Sequence, residues 1–193
     1  IIGAVEGYYG GKVDMLMERI KDILSGVPYI VILTLINLHF VITGKMSQIT
    51  GLALSFIVLD WIGFSALIRM QFYRFKGQEY VLAARTLGAS DGRLMLKHIF
   101  PNSLGTIVTS CALAIPSVIF AESAYSYLGL VNFDSAKLSS LGSMLSSGSG
   151  YMMNYPHIIL FPSIAISLLM ICFNLFGNGL RDAFNPTLRG THD

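Results

Sequence analysis

Residues 78–102 read QEYVLAARTLGASDGRLMLKHIFPN, a polar and basic stretch between two long apolar runs. We call residues 78–102 the basic segment. Residues 79–87 contain neither glycine nor proline, which favours a short helix, and Gly88 can then turn the chain through a backbone conformation that other residues avoid. Ser90 suits the cap position of a second short helix, which we expect Pro101 to interrupt. The basic segment is therefore predicted to form a rigid helix–glycine–helix protrusion.

The composition of the whole chain is that of a membrane protein. Of its 193 residues, 53% are apolar and 12% are charged, whereas about 25% charge is usual in a soluble domain. Lys and Arg exceed Asp and Glu by only two, so a nucleic-acid partner has no electrostatic support. The expected fold class is an all-α, polytopic bundle of membrane helices.

Four apolar runs are long enough to be membrane spans. They cover residues 27–43, 49–68, 103–128 and 157–176, and their lengths of 17 to 26 residues suit the hydrocarbon thickness of a bilayer. Residues 1–5 are expected to be the last turns of a helix that leaves the membrane, so that the chain would begin inside an earlier span. Residues 12–22 predict an amphipathic helix at the membrane interface, because charged residues alternate with an apolar stripe made of Val13, Leu16, Met17 and Ile20.

The basic residues predict the orientation of the loops. Eleven are expected on one side of the membrane, namely three in residues 12–22, six in residues 69–102, and Arg181 and Arg189. Lys45 and Lys137 are expected on the other side. Since cytoplasmic loops are enriched in Lys and Arg, residues 69–102 are predicted to form a cytoplasmic loop.

Four residues inside the spans are candidates for a pore or a gate. A charge at mid-membrane costs about 2.5 to 3.5 kcal/mol, so Asp60 is expected to bond a neighbouring helix or to line a water-filled path, and both options stay open. Pro116 is expected to kink its helix and free backbone carbonyls. Glu122 is expected to hydrogen-bond a bundle neighbour or a partner subunit, or to contact substrate. Asn174 in the last span is the fourth candidate.

Motifs for catalysis and nucleotide binding are absent from the sequence. It contains no G-x-x-x-x-G-K-[ST] loop, no H-E-x-x-H and no G-x-S-x-G, so ATP would have to be bound by another subunit. The four histidines are scattered along the chain, which argues against a metal site. Cys111 and Cys172 lie in apolar runs without C-x-x-C spacing and are expected to be free thiols. We therefore expect neither an enzyme nor a catalytic, cofactor or metal site.

The basic segment resembles the EAA loop of ABC importer permeases. That loop reads roughly E-A-A, three residues, G, then about nine residues to an apolar residue and Pro. The matching positions are Leu82-Ala83-Ala84, Gly88 and Phe100-Pro101, with Leu82 in place of the usual glutamate and Phe100 in place of the usual leucine. Within this superfamily, the sequence most resembles the peptide permeases. The similar stretches are Glu79-Tyr80, Leu87-Gly88-Ala89, Ala121-Glu122, Tyr127-Leu128-Gly129-Leu130 and the tail from Phe173-Asn174-Leu175 to Leu188-Arg189.

This resemblance implies the four-span C-terminal part of a type I ABC importer transmembrane domain, truncated at its N-terminus, with residues 1–193 in a single domain. It implies a bacterial-type plasma membrane, peptide substrate, and partners that comprise a second permease in a heterodimer, two cytoplasmic ATPases, an extracytoplasmic substrate-binding protein and membrane lipid. The ATPase-coupling residues implied are Glu79, Leu82, Ala83, Ala84, Arg85, Gly88, Ala89 and Pro101.

Two expectations concern the outer loop and the end of the last span. The family carries a short re-entrant or interfacial gate helix near residues 131–155, and here helical spacing is kept by Leu138, Leu141, Met144 and Leu145. A flexible loop is the alternative. Gly177 and Gly179 are expected to allow the turn that leaves the last span.

Two other functions remain open at this point. A nickel or metal-chelate importer would have a permease with the same loop and tail. An ion-coupled carrier would use Asp60 and Glu122 as proton sites.

Overall fold

The computed structural model describes residues 1–131, 133 and 139–184, and within these residues it contains helices and no strand. The expected all-α class is confirmed. The helices are α1 (Ile2–Tyr9), α2 (Gly11–Ser25), α3 (Tyr29–Ile36), α4 (Gln48–Leu59), α5 (Trp61–Phe75), α6 (Glu79–Thr86), α7 (Asp91–Arg93), α8 (Phe100–Tyr127), α9 (Leu141–Ser149) and α10 (His157–Ala183). Two π-helical turns, Asn37–Val41 and Leu94–Ile99, follow α3 and α7.

Three described helical stretches are long and apolar enough to cross a membrane. They are Gln48–Phe75, Asp91–Tyr127 and His157–Ala183, and a fourth span results if the bent pair Gly11–Ser25 and Tyr29–Val41 counts as one. The chain divides into two compact units. Unit 1 comprises Ile1–Tyr29 and Phe56–Val108, and unit 2 comprises Ile30–Ser55 and the chain from Thr109 onward.

In unit 1, α1 and α5 pack backbone against backbone. Gly3 and Gly7 lie one helical turn apart on the same face of α1, and a Cβ atom at either position would overlap a carbonyl oxygen of α5, that of Ser65 or of Arg69. Small residues at this spacing let two helices approach closely. The first two turns of α1 are therefore held against α5 with no side chain between them.

The amphipathic helix predicted for residues 12–22 is present as α2, and part of its charged side, Asp14, Glu18 and Lys21, faces the rest of unit 1. Asp14 and Lys21 contact α5 and α1 through ion pairs, while Leu16 and Ile23 are exposed. Lys21, counted above as a loop charge, is thus buried.

The expectation that Pro101 interrupts a helix is wrong. Asp91–Tyr127 is one continuous helical stretch, in which the π turn Leu94–Ile99 leads directly into α8. Side chains bond the backbone carbonyls beside the proline, since Asn102 Nδ2 donates to His98 O at 2.7 Å and Ser103 Oγ donates to Ile99 O at 3.0 Å. The wider π turn, in which Phe100 N–H bonds Met95 O, directly precedes Pro101, and the helix continues past this residue that has no N–H.

In unit 2, the short helix expected within residues 131–155 is present as α9, so residues 141–149 are helical and not a flexible loop. Ser140 and Ser143 cap α9 reciprocally, each side chain bonding the backbone N–H of the other at 3.0 and 2.9 Å. Leu138, Lys137 and the tail with Arg189 lie outside the described residues.

The expected turn at Gly177 and Gly179 is also wrong, because α10 continues through both to Ala183. Gly177 is buried, and a Cβ there would lie 2.5 Å from Leu113 Cδ2 of α8. The glycine therefore serves helix packing. Pro116 is buried within α8, which is continuous on both sides of it.

Candidate functional site

An apolar cluster anchors the basic segment to the rest of unit 1. Val81 of α6 and Leu94 and Ile99 of the π turn are fully buried, and they pack with Tyr8 of α1 and Phe72 of α5. Burying an apolar side chain of this size stabilises by about 1.5 to 3 kcal/mol. The base of the basic segment is thus part of the core of unit 1.

The predicted turn at Gly88 is present, with φ of +84°. Ala89 N–H bonds Ala84 O at 3.1 Å and Gly88 N–H bonds Arg85 O at 3.0 Å, which is the pattern of a Schellman helix end. A Cβ at Gly88 would meet nothing within 4 Å. The need for glycine is therefore conformational, since a left-handed backbone costs other residues about 1 to 2 kcal/mol.

Tyr8 joins the two sides of this turn. Its hydroxyl donates to Asp91 Oδ1 of α7 at 2.5 Å and accepts from Arg85 Nη2 of α6 at 3.1 Å. Burial, and then the bond to Asp91, raise the pKa of Tyr8 above its usual value. The phenol therefore keeps the proton that it donates. We call Tyr8, Arg85 and Asp91 the tyrosine bracket.

The predicted coupling residues divide between two faces of the basic segment. Ala84 and Ala89 pack against the apolar cluster. The exposed face includes Leu87, which is 88% exposed, and Leu82, at the position of the family's glutamate. Also exposed are Glu79, Ala83, Arg85 and Gly88, whereas Pro101 lies apart from them in the first turn of α8.

A network of charged side chains on α1, α2 and α5 was missed from the sequence. We call Glu6, Asp14, Glu18, Lys21 and Arg69 the ion network. Lys21 Nζ pairs with Glu6 Oε2 at 2.8 Å and also with Glu18, and Arg69 binds Asp14 through Nε at 2.5 Å and Nη2 at 2.7 Å. Ser65 Oγ donates to Glu6 Oε2 at 3.4 Å. The network ties α1, α2 and α5 together.

The positive charges of Lys21 and Arg69 disfavour a metal ion at the three carboxylates of the ion network. Oxygen atoms of Glu6, Asp14 and Glu18 lie within 4.8 Å of one another, but Lys21 and Arg69 already supply positive charge between them. A hint of the network existed in the sequence, because Glu6 is an acidic residue in an otherwise apolar or small stretch.

The four candidates for a pore or gate are not brought together by any side-chain bond. Asp60 is exposed between α4 and α5, and no described residue bonds its side chain. Asn174 donates to Met170 O of its own helix at 2.9 Å. Glu122 accepts from Ser126 Oγ at 2.8 Å, and Ser126 in turn lies 3.5 Å from Ser140 Oγ in the cap of α9. Glu122 is thus linked to the α9 cap, while the roles of all four remain predictions.

Known proteins match almost the whole chain. Residues 1–190 match the family described as binding-protein-dependent transport system inner membrane component. The chain is 40% identical over 189 residues to the oligopeptide transport system permease protein of Bacillus subtilis, which covers 98% of this chain and 60% of the relative. It is 38% identical to the dipeptide transport system permease protein of Bacillus subtilis, and this match covers 98% of the chain and 57% of the relative. It is 35% identical to the oligopeptide transport system permease protein of Escherichia coli, and this match covers 92% of the chain and 56% of the relative. The chain spans less than two thirds of these relatives.

Proposed function

Because the chain belongs to the family of binding-protein-dependent transport system inner membrane components, we propose that it forms part of a permease subunit of an ATP-driven peptide importer. Family membership confirms the resemblance seen in the sequence and places the chain in the membrane as a multi-pass helical protein. Peptide as the substrate is supported by relatives named for oligopeptide and dipeptide transport. No described observation favours nickel or an ion-coupled carrier.

The basic segment would couple the permease to a cytoplasmic ATPase. The observation that carries this proposal is its two-sided structure, in which Val81, Leu94 and Ile99 are buried in unit 1 while Leu82 and Leu87 are exposed at the turn. Exposed apolar side chains on a firmly anchored base suit a partner that must both bind the segment and move it. The ATPase would supply the energy, since the sequence has no phosphate-binding loop of its own.

Transport would then follow from movement of the basic segment. Closure of two ATPases around ATP would shift α6, and the anchored cluster would pass that shift to α1 and α5. The spans would open alternately to either side of the membrane. A second permease would complete the translocation path, a binding protein would deliver peptide from outside, and α9 with Glu122 would contribute to the outer gate.

Site-specific crosslinking of the assembled importer tests this proposal. Cys111 and Cys172 are free, exposed thiols and would first be replaced by serine. A Leu87→Cys variant should then crosslink to the ATPase, whereas Met153→Cys, which is 93% exposed between α9 and α10, should not. The full-length permease would be used with its partners in membrane vesicles. Labelling of Leu87→Cys by an impermeant thiol reagent from outside intact cells would refute the proposal, because the basic segment would then lie on the wrong side.

A further inference from the structure

We propose that Tyr8 is a positioning residue that transmits movement of the basic segment to the membrane helices. This inference rests on the proposed coupling function and adds to it a residue outside the basic segment. Tyr8 is the penultimate residue of α1, 77 positions before Arg85 and 83 before Asp91. Neither the loop pattern nor the spacing of the basic segment points to it.

The tyrosine bracket holds both arms of the glycine turn with one hydroxyl group. Arg85 lies on α6 before Gly88, and Asp91 begins α7 after it. A phenol donates one hydrogen bond, and Tyr8 uses it on Asp91 while accepting from Arg85. The Arg85 guanidinium also lies 5.7 Å from the centre of the Tyr8 ring. A force that tilts α6 or α7 therefore acts on the end of α1.

From Tyr8 the connection to α5 is rigid. Gly7, the preceding residue, touches the α5 backbone at Arg69 without an intervening side chain. Directly before Gly7, Glu6 is fixed by Lys21 of α2 and by Ser65 of α5. Because backbone contact and buried ion pairs restrict relative movement of these helices, α1 and α5 should move as one body. Helix α5 is itself part of the apolar stretch Gln48–Phe75.

The hydroxyl of Tyr8 has a role separable from that of its ring. The ring is buried in the apolar cluster with Phe72 and Val81, and such contacts are non-directional, so surfaces held by them alone can slide. Hydrogen bonds to charged groups are directional and stronger than neutral ones. The ring thus stabilises the docked segment, and the hydroxyl fixes its angle to α1.

The test is a Tyr8→Phe variant of the full-length permease, reconstituted with its partner permease, ATPases and binding protein in liposomes. The variant keeps the ring and removes both bonds of the hydroxyl. We expect peptide imported per ATP hydrolysed to fall about fivefold or more, with the yield of assembled complex and the rate of hydrolysis within about twofold of wild type. Tyr73→Phe is the matched control, because Tyr73 is an exposed tyrosine of α5.

A second variant tests the same bond from its other end. Asp91→Ala removes the Tyr8–Asp91 bond and leaves the bond from Arg85, so it should also lower the ratio. The double variant should be no worse than Tyr8→Phe, which already removes both bonds. A wild-type ratio in Tyr8→Phe would overturn the inference and leave the proposed function standing. Failure of both variants to assemble would also overturn it, because the bracket would then serve folding only. Absence of ATP-dependent peptide uptake by the wild type would overturn both proposals.

Discussion

Lys21 and Glu6 form an ion pair of 2.8 Å in which the lysine side chain is 4% exposed and the glutamate side chain 0%. A pair so deeply buried is sensitive to the loss of one partner, because the remaining charge is left without compensation. Its position between α1 and α2 makes it a test of how unit 1 is held together.

Lys21→Met should destabilise the permease by about 3 to 5 kcal/mol. The double variant Glu6→Gln/Lys21→Met should recover part of this loss, since it removes both charges. Thermal unfolding in detergent measures the difference. Arg19→Met is the matched control in the same helix, because Arg19 is 75% exposed and an exposed ion pair contributes only about 0 to 1 kcal/mol. Equal effects of Lys21→Met and Arg19→Met would contradict the buried pair.

Gly88→Val should uncouple ATP hydrolysis from uptake while membrane insertion stays intact. The positive φ of Gly88 disfavours a β-branched side chain, although nothing within 4 Å crowds it. The ratio of peptide imported to ATP hydrolysed is the measurement. Gly92→Val is the control, since Gly92 also has open space around it but no positive φ. If Gly88→Val transports as well as Gly92→Val does, the basic segment is not the coupling element.

Leu87→Ser should weaken the association of the permease with its ATPase. An apolar side chain that is 88% exposed contributes to binding only if a partner covers it, and fully covering a leucine side chain is worth about 1.5 to 3 kcal/mol. A loss of affinity of about fivefold or more is expected when ATPase binding to detergent-solubilised permease is titrated. Met153→Ser should leave the affinity unchanged. Unaltered binding by Leu87→Ser would place the ATPase contact elsewhere.

Gly142→Ala should displace α9 from α8. A Cβ at Gly142 would lie 2.5 Å from Ser123 Cα and O, and backbone atoms cannot move aside as a flexible side chain can. Overpacking of this kind costs about 1 to 3 kcal/mol, so thermal stability and peptide uptake should both fall. Gly150→Ala, at the end of the same helix, meets nothing within 4 Å and should be neutral. Equal stability of the two variants would show that α9 is not packed on α8.

Local features of the basic segment could be predicted because they depend on neighbours in sequence. Residues 79–87 favour a helix whatever surrounds them, and Gly88 is needed wherever such a helix ends in a left-handed turn. The prediction at Pro101 was wrong for the complementary reason. A proline lacks an N–H and clashes with the preceding turn of a regular α-helix. Here that preceding turn is the π turn Leu94–Ile99, which leads directly into α8.

Some residues have two possible structural roles, and only their neighbours in space decide between the two. Gly177 could equally end a helix or allow close packing, and its proximity to Leu113 of α8 shows that it allows close packing. Lys21 belongs by its pattern to an exposed charged face, yet it is buried by Glu6, which precedes it by 15 residues and lies on another helix.

The amino-acid sequence by itself determined that this chain is a helical membrane protein with a basic helix–glycine–helix segment, because apolar run length, charge and backbone preference are properties of short stretches. Only the tertiary structure decided that Tyr8 joins Arg85 to Asp91 and that Glu6 meets Lys21. Such pairings depend on how α1 approaches α2, α6 and α7, and that approach is set by contacts between distant residues, which no local pattern encodes.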